Sequence, residues 1–337
     1  VWDKKGEDVS RGVLPAVLAV DPSQVTTRLE LAKWIASREN PLTARVITNQ
    51  IWQLFFGAGL VRTPNDFGLQ GESPTHPQLL DWLAVDFMES GWDVKRLVKT
   101  IVLSEAYRQD SSAAKKLLEL DPENRLLARG PRYRLPAWMI RDSLLKSSGL
   151  LNSAVGGPPV FPYQPPGVWQ DQFMGRFTYV PTLGPGQYRR TLYAFWRRSS
   201  APTFLFDSAM RRTCEVAPRL TNTPLHALTL LNDLTSQEAM RSLADASFRD
   251  APQKPEARIE FLFRRALSRP PETREREILR REYDRALKFY QSHREQARTF
   301  ASPGQMPEPA NDHLPELAAT MLLANLVLNL DEAITHE

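Results

Sequence analysis

NPLTARVITNQIWQLFFG, residues Asn40–Gly57, is the stretch whose reading decides the fold. Asn40 before Pro41 is a helix-start signal: a side-chain oxygen can accept an orphan backbone N–H, and proline fits the first turn. Val46, Ile47, Ile51, Trp52, Leu54 and Phe55 then make a broad apolar surface that stops at Gly57. This pattern predicts a helix buried on most sides. Working outward, Leu29, Leu31, Ala32, Ile35 and Ala36 share one helical face, and Ser73-Pro74 reads as the start of a helix carrying Leu79, Leu80, Leu83, Val85 and Phe87 to Gly91. Further helices are predicted from about Val94 to Arg108 and Pro136 to Leu151, near Arg189, after Pro224, and from Glu256 to Leu267. Glu272 to Arg298 reads as a long solvated helix with a thin apolar stripe, Pro303 to Pro309 as a linker, and Leu314 to Ile334 as a final apolar helix.

Residues 152–187 differ in kind. Glycine and proline are dense, Phe161, Tyr163, Trp169, Phe173, Phe177 and Tyr179 are interleaved, and no helical period is visible. The fold class is therefore all-α, a multi-helix globular bundle with one long Gly/Pro/aromatic-rich irregular insertion. Its expected divisions are an irregular segment 1–27, an N-terminal helical block 28–151, the insertion 152–188, and a C-terminal helical block 189–337 packed on the first.

The 337 residues, 42% hydrophobic and 24% charged, match an ordinary globular chain, and no apolar run is long enough to predict a membrane span. The net charge of +4 is spread over interspersed acids and bases, which argues against nucleic acid as a partner. One cysteine, Cys214, excludes an intrachain disulfide, and five histidines scattered at 76, 226, 293, 313 and 336 give no metal-ligand spacing, so no metal is expected. The first residue is Val1 and no signal pattern opens the chain, which reads as an excised or processed piece.

Several polar groups are candidates. Thr221-Asn222-Thr223-Pro224, running into a helix with His226 and Asp233, is a cap or a site. Arg45 and Asn49 are four apart in an apolar helix, so they line a polar pocket or join an internal network with a carboxylate such as Asp66 or Asp81; Arg141-Asp142 poses the same choice. Asp66-Phe67-Gly68 copies the letters of a kinase metal motif without the companion loops, a coincidence. His76 and Asp81 are too far round a helix for a direct dyad. Arg189, Arg190, Tyr193, Trp196, Arg197 and Arg198 are the densest cationic and aromatic cluster; on a helix Arg190, Tyr193 and Arg197 would share a face suited to carboxylate or sulfate. The insertion's aromatics could stack on sugar rings or pack as a flap over the core. Arg45, Asn49, Asp66, His76, Arg190 and Asn222 are expected to converge on one polar cavity.

Two blocks carry a family resemblance. The first runs from Arg28-Leu29 through Asn40–Val46, Asn49–Trp52, Thr63–Gly68 and His76-Pro77 to Gly91-Trp92; the second includes Arg189-Arg190, Asp207, Cys214, Thr221–Leu225 and Leu231-Asn232, with Leu328–Glu332 near the end. Together they resemble the planctomycete-type domain of unknown function at the C-terminal end of secreted proteins that bear a planctomycete cytochrome c domain. The resemblance implies an upstream signal peptide, often a haem c module, and a companion domain as partner, with an extracytoplasmic location and a carbohydrate-rich setting. It brings no agreed catalytic residues and no cofactor within this stretch. Leu135–Asp142 departs from the pattern, with Pro136 and Trp138 where relatives show a more acidic run.

Three functions follow as expectations. The first is a ligand-binding or scaffolding module of a cytochrome-linked extracytoplasmic protein, with Arg45, Asn49, Arg189, Arg190, Tyr193, Arg197 and Asn222 contacting an acidic or sulfated carbohydrate. The second is a carbohydrate-active enzyme, oxidative or hydrolytic, drawing its acid or base from Asp66, His76, Asp81, His226 and Asp233. The third is a structural docking domain for the companion domain.

Overall fold

The computed structural model describes residues 27–169, 178–197, 220–251 and 254–336, together with Gly6, Val25, Pro202, 204–207 and 215–217. Phe173, Phe177, Arg198, Cys214 and nearly all of segment 1–26 lie outside the described residues. The chain divides into two compact units, one ending at Tyr133 and the other spanning Arg134–His336. Both are helical, as the sequence predicts.

In the first unit, α1 (Arg28–Ile35) is opened by a reciprocal cap: Glu30 N–H donates to Thr27 Oγ1 and Thr27 N–H donates to Glu30 Oε2. The decisive stretch forms α2 (Thr43–Phe56), with Asn40 Oδ1 accepting the N–H groups of Leu42 and Thr43 at 2.9 and 3.1 Å. Gly57 ends it at φ 76°, where a Cβ would lie 2.8 Å from the Tyr133 ring. The third helix, α3 (Pro77–Glu89), starts at Pro77 with His76 before it, later than Ser73-Pro74 suggests. The run predicted from Val94 to Arg108 breaks into α4 (Val94–Val102) and α5 (Glu105–Arg108), because Ser104 Oγ donates to the Ile101 carbonyl while accepting from Tyr107 N–H. A short α6 (Lys115–Leu120) follows. Trp52, Leu60, Val61, Leu80, Leu83, Phe87, Leu97 and Ile101 form this unit's core, and Trp52 stacks on Phe56 at 4.0 Å.

The second unit has a larger core. It is built from α7 (Ala137–Ser148), α8 (Pro224–Asn232), α9 (Leu234–Asp250), α10 (Pro255–Leu267), α11 (Thr273–Ser292), α12 (Arg294–Phe300), α13 (Leu314–Leu328) and α14 (Asp331–Ile334). The long charged stretch and the final apolar one each split in two, at His293 and at Asn329-Leu330. The helix α13 is apolar on all sides and is buried against α9, α10, α11 and α12; Ala318, Ala319 and Ala324, all 0% exposed, let these neighbours approach closely. In contrast, α11 buries only Leu279, Tyr283 and Ala286, the thin stripe its sequence announces.

The described residues of the insertion are irregular, and the irregular backbone continues past residue 188. The helix predicted near Arg189 is absent: Gly184–Tyr188 and Thr191–Tyr193 are short 3-10 turns, joined by extended residues that pair in isolated bridges, Asn152 with Arg189 and Val160 with Ala194. Pro185 and the glycines at 184 and 186 deny that segment a helical start. Within the insertion Trp169 packs on Tyr179 at 5.1 Å, and Phe161 packs on Phe195, beyond the insertion, at 4.6 Å.

Leu262 is 0% exposed in the second unit's core. Leu262→Ala is expected to cost about 2–5 kcal/mol in urea unfolding, the penalty of lost burial plus a cavity.

Candidate functional site

In the first unit, Asn49 takes the internal reading, while Arg45 pairs with a carboxylate at the surface, the side chains of Arg45 and Asp81 being 37% and 54% exposed. Arg45 Nε donates to Asp81 Oδ1 at 2.6 Å, and its Nη1 to the Pro41 carbonyl. Asn49 is 0% exposed; its amide donates to the Val61 carbonyl at 3.0 Å and accepts the Val61 N–H at 2.8 Å, as a strand neighbour would. Gly59 is required there, since a Cβ would sit 2.5 Å from Asn49 Nδ2. Asp66 accepts Gly68 N–H within its own turn, and His76 Nδ1 contacts Thr75 Oγ1 at 3.1 Å.

None of Arg45, Asn49, Asp66 and His76 lines this unit's cleft, a cavity of about 360 Å³. Its walls are Trp52 and Phe56 from α2, Leu118 from α6, and a loop carrying Glu123, Asn124, Arg125, Leu127, Arg129 and Arg132, with Arg62, Thr75 and Ser111 at the sides. The loop is built on Asp121, whose carboxylate accepts the N–H groups of Arg125 and Leu126, both at 2.8 Å. Burial alone would raise the Asp121 carboxyl; these two donors, with Arg129 and Arg62 nearby, outweigh it and hold the group below the ordinary carboxylate range. Buried Arg129 donates to the carbonyls of Asp121 and Pro122 at 2.9 and 2.8 Å. Asn124 and Leu127 adopt left-handed backbone, φ 51° and 54°, which asparagine tolerates and which is rare for leucine.

In the second unit, Arg141 is 5% exposed beside Asp142. Its guanidinium donates to the carbonyls of Arg189 and Gln187 and to Thr191 Oγ1, and lies 4.9 Å over the Phe204 ring. Asp142 Oδ1 accepts Thr191 N–H at 2.8 Å and its hydroxyl at 2.6 Å, while Arg190, half exposed, approaches Asp142 Oδ2 at 3.9 Å. Arg189 donates to the carbonyls of Ala154, Gly156 and Pro158 and stacks 3.7 Å over Tyr193. Because this segment is extended rather than helical, Arg190, Tyr193 and Arg197 do not form a helix face; Tyr193 accepts Gly156 N–H, and Arg197 is exposed.

The turn before α8 is held by another means than a side-chain cap. Thr223 makes no capping bond; Asn222 Oδ1 accepts from Arg134 at 3.1 Å, and Thr221 donates its N–H and hydroxyl to the Asp207 carboxylate. Buried His226 stacks on Phe206 at 4.0 Å. Asp233 caps α9 by accepting Thr235 N–H, and burial raises its carboxyl against the pull of that bond and of Arg141.

Sequence reading missed Glu238, 1% exposed on α9. It accepts the Tyr188 hydroxyl at 3.1 Å and Gln305 N–H at 3.0 Å, and burial raises its carboxyl. Gly304, at φ 56°, lies so close that a Cβ would meet Glu238 Oε1 at 2.1 Å. It also missed Arg62, Asp121, Arg125 and Arg129, for which the only sequence signal is arginine recurring at 125, 129 and 132 after Asp121-Pro122. Among the described residues, no group of three or more His, Cys, Asp or Glu is placed to hold a metal ion, and no helix is long and apolar enough to cross a membrane.

Asn49→Ala leaves the Val61 N–H and carbonyl buried without partners and is expected to cost about 2–4 kcal/mol in urea unfolding. For Glu238, a raised folded value means that its neutral form contributes fully below the ordinary carboxylate range and that this contribution is lost as pH rises through the folded value. Calorimetry of Glu238→Gln is therefore expected to give a higher Tm than wild type at pH 8 and no such advantage at pH 4; a constant difference would refute the buried-carboxyl origin.

No curated protein and no solved structure matches the chain. Residues 27–283, which take in the decisive helix, the first unit's cleft and the Arg141 network, match PSD1, a protein of unknown function (DUF1553). The chain belongs to this family of unknown function.

Proposed function

We propose that the chain is a ligand-binding module whose site is the first unit's cleft. The observation that carries this reading is the cleft's lining, four arginines at 62, 125, 129 and 132 against one acid, Glu123, beside Trp52 and Phe56. A cavity of this size with a few convergent polar groups on an apolar wall is the usual form of a small-molecule site. A cationic rim selects anions, which supports an acidic or sulfated carbohydrate as ligand. The extracytoplasmic, cytochrome-linked setting and the companion-domain partner belong to the same proposal and rest on the family resemblance.

An acid–base enzyme is the weaker reading, because Asp233 is committed to capping α9 and Glu238 to Tyr188 and Gln305. A docking role draws on Trp82 and Val85, three apart on α3 and 56% and 45% exposed.

The test is a thermal-shift screen of the full chain against neutral, acidic and sulfated oligosaccharides, alongside Ser111→Trp, which places an indole in the cleft wall. A ligand at a hundred times its Kd stabilises the folded state by about 2.7 kcal/mol. The expected result is a Tm rise that Ser111→Trp abolishes. A rise that survives the substitution moves the site elsewhere, and no rise with any sugar favours docking.

A further inference from the structure

Within the first unit's cleft, on the reading that it is the ligand site, two guanidinium groups from distant segments meet at one oxygen. Arg62 Nη1 is 3.5 Å and Arg125 Nη1 3.6 Å from Glu123 Oε2. Both distances exceed a normal hydrogen bond, and the Glu123 side chain is 59% exposed, so the carboxylate is a loosely held, solvated group. Each arginine is anchored through its other nitrogen: Arg62 Nη2 donates to the Glu123 carbonyl at 2.7 Å, and Arg125 Nη2 to Glu72 Oε2 at 3.0 Å. Each thus turns Nη1 toward the same point. Two guanidinium groups converging on one oxygen is the arrangement by which an oxyanion is recognised.

We propose that Arg62 and Arg125 form an oxyanion clamp in which Glu123 Oε2 stands where an oxygen of the ligand sits, and that the ligand binds by replacing it. The backbone supports this geometry. Arg125 follows left-handed Asn124 in a loop that also holds Leu127 left-handed, kept there by the Asp121 carboxylate and by the Asn124 Nδ2 donation to the Arg129 carbonyl. The left-handed backbone of Leu127 is strained, and strained conformations held by their surroundings recur at ligand clamps. On the carbohydrate reading of the cleft, the class of ligand is therefore a small sugar bearing one oxyanion, whether carboxylate, sulfate or phosphate.

The experiment is calorimetric titration of the full chain with glucuronate, glucose 6-sulfate, glucose 6-phosphate and neutral glucose, at low and high salt. The clamp predicts that at least one anionic probe binds and that glucose binds at least about tenfold more weakly, the worth of one charge-assisted contact. Glu123→Gln keeps shape and solvation while removing the competing charge, and should tighten the anion about threefold, the scale of an exposed pair. Arg125→Gln should weaken it about tenfold, and high salt should weaken the wild type more than Arg125→Gln. Glucose binding as tightly as the anions, with Ser111→Trp abolishing both, would overturn the clamp and leave the cleft as the site. Anion binding that Glu123→Gln fails to tighten also overturns the clamp. No binding of any probe to the wild type overturns the clamp, while the oligosaccharide screen decides the cleft site on its own.

Discussion

An irregular backbone can be buried only if its carbonyls find donors, and buried arginines supply them in both units. Arg129 closes the 121–130 loop in the first unit. In the second, Arg141 gathers the carbonyls of Gln187 and Arg189, and Arg189 those of Ala154, Gly156 and Pro158. A guanidinium presents several donors in a fixed fork, so one side chain does for a non-repetitive segment what a helix or sheet ladder does elsewhere. The charge is tolerated because carbonyl dipoles, an aromatic face and nearby carboxylates surround it; burial still pulls Arg141 below the ordinary arginine value, against Asp142 and Asp233. These polar knots are why the described residues of the insertion hold a definite shape without regular secondary structure.

The same arrangement separates what the sequence discloses from what it hides. The helices of residues 28–108 and 224–334 were legible because the apolar period and the end signals are local: Asn40 caps α2 and Gly57 stops it. The partner of Arg45 was legible too, since Asp81 is one of the two acids anticipated, although the pair lies at the surface rather than inside. The segment from Arg189 misled because it is rich in residues that suit a helix. Its conformation is instead set by long-range donations from Arg141 and to Asp142, which no local window contains.

The cleft was not legible for a related reason. Nothing in the order of Asp121, Asn124, Arg125 and Arg129 reveals that Asp121 pulls Arg125 and Leu126 onto its carboxylate. Glu238 was hidden among Ser, Ala, Arg and Asp on α9, a helix buried around most of its circumference by small side chains rather than marked by large ones.

Gly304 and Glu238 illustrate how such knots limit drift. The absence of a side chain at 304 is what leaves room for the Glu238 carboxyl, and that carboxyl in turn holds Gln305 and Tyr188. A larger residue at 304 is compatible with the fold only if position 238 shortens at the same time, which would leave the Tyr188 hydroxyl and Gln305 N–H in want of an acceptor. The two positions, 66 residues apart in sequence, should therefore vary together or not at all.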